Sequence, residues 1–115
     1  MSWKLTVRNG SEVSREQFDD RGEAVAAMRA RALAIRSLGP LKETSMLRTF
    51  KPEDQVRARL QLTGKGRWGR KPAAGVDVRG DGAFVPFSGG MVREELDPSG
   101  HETPFDLVRE TLERR

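Results

Sequence analysis

The feature that most constrains the fold is a repeated alternation of apolar and polar residues in short stretches bounded by tight-turn sequences. Residues 3–8 alternate and are followed by the Asn9-Gly10 dipeptide, which tolerates the positive φ of a hairpin turn. Residues 55–63 alternate over nine positions, and residues 75–79 alternate before the turn at residues 80–82. Because successive strand side chains point to opposite faces, each stretch predicts a half-buried strand. The short connections predict antiparallel pairing.

The first hairpin makes a specific prediction for its return strand. We expect this strand over residues 11–17, with Val13 facing the core. Phe18 falls on the opposite parity, so we expect a bulge or the end of the strand there.

A helical period replaces the alternation after Asp20. Asp20 and Glu23 have the spacing of a capping box, and the helix is predicted to continue to about Leu38. Its apolar stripe comprises Ala24, Val25, Met28, Ala32 and Ile35. Gly39 and Pro40 then predict its end.

A second helix is predicted at the end of the sequence. Thr103 is a suitable N-cap, and Pro104 suits the first helical position. Its buried stripe comprises Phe105, Val108 and Leu112.

The remaining segments predict short strands at residues 46–50, 83–88 and 91–96. Pro86 lacks a backbone donor, which predicts an edge strand or a bulge. The element order is ββαβββ(β)α in one domain, residues 1–115. This order predicts an α+β two-layer sandwich: an antiparallel sheet of five or six strands with two helices on one face.

Composition excludes several classes of protein. The chain has 115 residues and no cysteine, so it has no disulfide and no thiolate chemistry. Its apolar runs are shorter than the roughly 20 residues that span a bilayer. The alternating N-terminus lacks the apolar run of a signal peptide. We therefore expect a cytoplasmic protein with no membrane partner.

Positive charge is concentrated in one segment. Residues 55–90 hold seven basic and two acidic residues, whereas residues 91–115 hold four and seven. Residues 64–73 are predicted to form a flexible basic loop with Trp68 among glycines. Basic side chains contact phosphates and an indole stacks on bases, so we expect nucleic acid or another polyanion as partner. The predicted contact residues are Arg57, Arg59, Lys65, Arg67, Trp68, Arg70 and Lys71.

No motif for catalysis, a cofactor or a metal accompanies this segment. Gly64, Lys65 and Gly66 do not fit the phosphate-binding P-loop pattern. His101 is the single histidine, and its sequence neighbours supply no nucleophile. We therefore expect a non-catalytic binding or accessory domain without a cofactor.

The alternative hypothesis is a protein-interaction or self-associating module without a nucleic-acid role. The opposite charges of residues 55–90 and 91–115 would pair between chains, or with an acidic protein surface. Strand edges near Pro86 or residues 91–96 would add to a partner's sheet. In this interpretation the protein is a homo-oligomer.

Three stretches also carry a resemblance. AGVDVRGDG (residues 74–82), QVRARL (residues 55–60) and the opening hairpin of residues 3–18 resemble small actinobacterial proteins of unknown function. The resemblance covers most of the chain but consists of turns and strand patterns. It implies a shared fold and supplies no catalytic residue. The chain departs from it in residues 64–72, which we expect to be longer and more basic here, so a function of this loop need not extend to the wider group.

Overall fold

The computed structural model describes residues 2–38, 44–45, 49–50, 56–65, 71–89, 93–97, 99–100 and 103–113. The elements in chain order are β1 (Trp3–Asn9), β2 (Glu12–Phe18), α1 (Arg21–Arg36), β3 (Thr44–Ser45), β4 (Thr49–Phe50), β5 (Val56–Gly64), β6 (Ala73–Arg79), β7 (Phe84–Ser88), β8 (Glu94–Glu95) and α2 (Pro104–Glu113). Six strands form one antiparallel sheet in the order β2-β1-β5-β6-β7-β8. β3 and β4 pair separately.

The core lies between one face of this sheet and the two helices. Alternate residues of β1, β5 and β6 are buried against α1 and α2. The strands contribute Leu5, Val7, Leu60, Leu62, Val76 and Val78, and the helices contribute Met28, Ala32, Phe105, Val108 and Leu112. The structure therefore confirms the predicted α+β class, the predicted sheet of five or six strands, and the placement of both helices on one face.

Both predicted helix starts are confirmed. The Asp20 carboxylate accepts a hydrogen bond from the backbone N–H of Glu23 at 3.0 Å, and Thr103 Oγ1 accepts one from the N–H of Asp106 at 3.2 Å. These side chains satisfy donors that a helix start leaves without partners. α1 ends at Arg36, two residues before its predicted end, and Gly39 and Pro40 lie outside the described residues.

The register of the first hairpin corrects the prediction for Val13. Asn9 pairs with Glu12, so Gly10, at φ +64°, and the residue after it form the loop. A two-residue loop sets odd-numbered residues of β1 opposite even-numbered residues of β2. Val13 therefore faces away from the core, opposite Arg8, and is 40% exposed. Phe18 ends β2 opposite Trp3 and packs against the core.

Pro86 occupies a strand that is second from the edge. It pairs with Val76 of β6, and its carbonyl accepts a hydrogen bond from the N–H of Leu96 at 2.9 Å. The N and C=O of one strand residue point to the same side, so the missing donor faces β8 and leaves the pairing with β6 intact. A register shift lies instead on β5, between Val56 and Ala58.

The other short segments are partly described. β4 covers the end of predicted strand 46–50, while residues 46–48 lie outside the described residues. β8 covers two residues of the predicted strand at 91–96. β5 extends to Gly64 and β6 begins at Ala73, so both ends of the predicted loop 64–73 belong to strands.

Candidate nucleic-acid interface

The candidate interface is the sheet face opposite α1 and α2, which we call the open face. Residues paired across an antiparallel ladder point to the same side, so the register identifies the side chains on it. Its basic residues on the described strands are Lys4, Arg8, Arg15, Arg59 and Arg79. Its acidic residues on the same strands are Asp77 and Glu95. Basic residues thus outnumber acidic residues there by five to two.

The two acidic residues are each bonded to an arginine. Arg79 Nη2 donates to Glu95 Oε1 at 2.9 Å. Arg59 donates to Asp77 through Nε at 2.6 Å and Nη2 at 2.9 Å. In contrast, Lys4, Arg8 and Arg15 have no ion-pair or hydrogen-bond partner among the described residues.

The pairing of Arg59 with Asp77 is the most buried ion pair of the face. The Asp77 side chain is 9% exposed and the Arg59 side chain 30% exposed. Hydrogen bonding to Asp77 and its charge raise the pKa of Arg59, although burial acts in the opposite direction. Two parallel hydrogen bonds fix the plane of a guanidinium as well as its position.

The aromatic ring of Phe87 lies beneath the guanidinium of this ion pair. Phe87 is 2% exposed, and the guanidinium carbons of Arg59 and Arg93 lie 5.7 and 5.8 Å from its ring centroid. Gly75, opposite Phe87 on β6, makes room for it, because a Cβ on Gly75 would lie 2.8 Å from the ring. Gln61 Nε2 donates to the carbonyl of Gly89 at 3.1 Å on the same face.

Two depressions lie at opposite ends of β1. The first, the arginine depression, has a volume of about 240 Å³ and is lined by Arg8, Gly10, Val56, Arg57, Ala58 and Arg59. The second, the lysine depression, has a volume of about 260 Å³ and is lined by Ser2, Lys4, Gln17, Thr63, Gly64, Lys65 and Lys71. Lys4 and Arg8 are four residues apart on one strand, so the depressions are separated by roughly 13 Å.

The fold brings four predicted contact residues to these depressions. Arg57 and Arg59 line the arginine depression, and Lys65 and Lys71 line the lysine depression.

The base of the predicted loop 64–73 is closed by a backbone hydrogen bond from Gly64 N–H to the Pro72 carbonyl at 2.9 Å. The other predicted contact residues, Arg67, Trp68 and Arg70, lie outside the described residues, as does His101.

Lys4, Arg8 and Arg15 lie on the candidate face but are not among the predicted contact residues. The alternation of residues 3–8 predicts that Lys4 and Arg8 lie on the face of β1 opposite that of Trp3, Leu5 and Val7. The missing information was the strand order, because β1 lies next to β5 in space but is separated from it by α1 in sequence.

A larger groove of about 540 Å³ lies between β2 and the end of α1. Its walls include Val13, Ile35 and Leu38, and its basic residue, Arg31, is bonded to Glu16 at 2.6 Å and to Ser14 at 2.9 Å. This groove therefore offers apolar surface and an arginine whose charge is already compensated.

Comparison with known proteins gives no significant match to a family model, to a curated protein or to a solved structure. In the described part of the chain, neither helix has the length and apolar character needed to cross a membrane. Among the same residues, no group of three or more histidine, aspartate or glutamate side chains is placed to hold a metal ion.

Proposed function

We propose that this chain is a non-catalytic binding module whose open face contacts the phosphates of nucleic acid. The observation that carries the proposal is the set of uncompensated cations Lys4, Arg8 and Arg15 beside two basic depressions. A face with this charge attracts a polyanion because binding releases the counterions that are condensed on the polyanion.

The open face favours contact with the backbone over stacking with bases. Phe87, the aromatic residue on its described strands, is buried beneath Arg59 and Arg93. A buried ring offers no platform for a base, whereas strand-bound lysine and arginine side chains reach phosphates of any sequence. The binding supported by these residues is therefore insensitive to sequence and strongly dependent on salt.

Fluorescence anisotropy with short labelled DNA and RNA, at low and high salt, tests the proposal. We expect binding at low salt that weakens steeply as salt rises. The variant K4Q/R8Q removes two cations from the open face, and the magnitude of its salt slope should fall by about 1.4–1.8, because each phosphate contact contributes about 0.7–0.9.

The matched control is R29Q/R109Q, which removes two exposed cations from the helices. It loses the same net charge but leaves the open face unchanged, so its salt slope should remain that of the unsubstituted protein. Absence of binding at low salt, or an equal loss in the control, would show that the open face is not the interface.

A further inference from the structure

We propose that the arginine depression is a seat for one phosphate group, held by Arg8, Arg57 and Arg59. This seat adds a specific binding site to the proposed function. It rests on that function for the source of the phosphate, which is nucleic acid. It is itself defined by local geometry, so a free phosphate tests it separately.

An unfavourable pairing of two arginines would be relieved by an anion in the depression. Arg8 on β1 and Arg59 on β5 are directly opposite in the register. Like charges in this position destabilise a sheet, because their Cβ atoms are only about 4.5–5.5 Å apart. Asp77 lies opposite Arg59 on β6, on the side away from Arg8. Its carboxylate bonds to Arg59 and not to Arg8. A phosphate in the depression would supply the missing negative charge beside Arg8.

The register shift on β5 brings a third arginine to the same place. Val56 pairs with Arg79 and Ala58 pairs with Val78, so Arg57 is the extra residue of a bulge. Such bulges bend a strand and redirect a side chain, and they recur beside functional sites. Here the shift places Arg57 in the wall of the depression together with Arg59, two residues further along the strand.

The orientation of Arg59 leaves part of its guanidinium for a ligand. Its bonds to Asp77 use Nε and Nη2, so the Nη1 hydrogens of its five-donor fork can be donated elsewhere. Asp77 fixes the guanidinium before any ligand arrives, which lowers the entropy lost on binding. A positioned arginine fork matches phosphate oxygens in a way that a flexible lysine does not. The lysine depression therefore lacks the feature that defines the seat.

The size of the depression limits what it accepts. Pockets for drug-sized ligands are roughly 300–1,000 Å³, and this one is about 240 Å³ and open to solvent. It suits a phosphate group, with the remainder of a nucleotide or a polymer outside.

Thermal unfolding in phosphate and in chloride, at equal ionic strength and pH, tests the seat. Inorganic phosphate at about tenfold its Kd should raise the Tm of the unsubstituted protein by about 5 °C relative to chloride. R8Q should lose most of this increase. In chloride, R8Q should unfold at a higher temperature than the unsubstituted protein, because the repulsion with Arg59 is gone. R29Q, which removes one exposed cation from α1 on the other side of the sheet, should retain the increase.

An equal phosphate-specific increase in R8Q, or none in the unsubstituted protein, would overturn the seat. A second arm uses a labelled oligonucleotide and inorganic phosphate as competitor. Phosphate stabilisation without oligonucleotide binding would support the seat and overturn the proposed function. Oligonucleotide binding without any phosphate effect on the Tm would overturn the seat and leave the proposed function standing.

Discussion

Arg59 and Asp77 face each other on neighbouring strands and share two hydrogen bonds, while Arg8 occupies the position on the other side of Arg59. One carboxylate thus compensates one of two adjacent arginines. This imbalance gives Asp77 opposite effects on folding and on oligonucleotide binding, and both can be measured.

For folding, we expect D77N to lower the free energy of unfolding by about 2 kcal/mol. The substitution leaves a partly buried guanidinium without its counter-charge and adjacent to Arg8. The value is below that for a fully buried pair because the Arg59 side chain is 30% exposed. Urea denaturation measures the change. D19N removes an exposed carboxylate and should alter stability by no more than about 0.5 kcal/mol; equal effects of the two variants would contradict the role given to the ion pair.

For binding, we expect D77N to tighten the complex with a short oligonucleotide several-fold at low salt. The open face loses a negative charge that repels the whole oligonucleotide, and this outweighs the loss of a fixed Arg59 guanidinium at one phosphate. The gain in affinity should shrink at high salt because screening reduces it. E113Q is the control, since Glu113 pairs with Arg21 at 3.4 Å on the helical layer. Anisotropy titrations compare the variants, and a tightening of the same size in E113Q would assign the effect to net charge alone.

Gly75 is expected to be intolerant of any side chain. A Cβ there would overlap the Leu60 carbonyl oxygen and lie 2.8 Å from the Phe87 ring, so either the backbone of β5 or the buried ring must move. We expect G75A to cost about 3 kcal/mol, at the upper end for overpacking.

G10A is an instructive comparison for G75A. Gly10 has φ +64°, and an added Cβ would meet no atom within 4 Å, so its cost is that of the left-handed conformation, about 1–2 kcal/mol. Chemical denaturation of both variants should show that G75A is the more destabilised. The reverse order would show that the Phe87 ring and the backbone of β5 move aside at little cost in free energy.

Asp97 provides a test of local electrostatics. The Ser99 hydroxyl donates to Asp97 Oδ1 at 2.6 Å and the Ser99 backbone N–H at 2.9 Å, and together they lower the pKa of Asp97. We expect S99A to raise the pKa of Asp97 part of the way to its ordinary value, because the backbone bond remains. NMR titration of the carboxyl carbon measures it.

The sign of the linked stability follows from the lowered pKa of Asp97. Its contribution is present above the unfolded-state pKa and is lost as pH falls through the folded-state pKa. S37A is the control, since the Ser37 hydroxyl donates to the Ala34 carbonyl. An Asp97 titration that is unchanged in S99A would exclude the hydroxyl as the main cause.

Local patterns predict most of the elements, and the pairing of distant strands accounts for what they miss. Alternation identifies β1, β5 and β6, and cap residues locate both helices, because these signals act over a few residues. The prediction for Val13 is wrong because it gives an apolar side chain more weight than the parity imposed by the turn.

The candidate site is only half predictable for the same reason. The basic run in sequence indicates Arg57 and Arg59, but Arg8 joins them through a ladder that forms across the intervening α1. The bond between Asp77 and Arg59 depends on the register of β5 and β6, which no local pattern specifies. The predictions for Arg67, Trp68 and Arg70 stay predictions.

The two edges of the sheet differ in ways that bear on how copies of this chain would associate. One edge is β8, which consists of the two exposed residues Glu94 and Glu95, and Pro86 on the strand behind it supplies no N–H. A short, negatively charged edge strand is a poor template for an incoming strand. β2, seven residues long, is the opposite edge. Strand addition would therefore favour joining β2 to β2 around a two-fold axis, which ends at a pair of chains and not in a fibre.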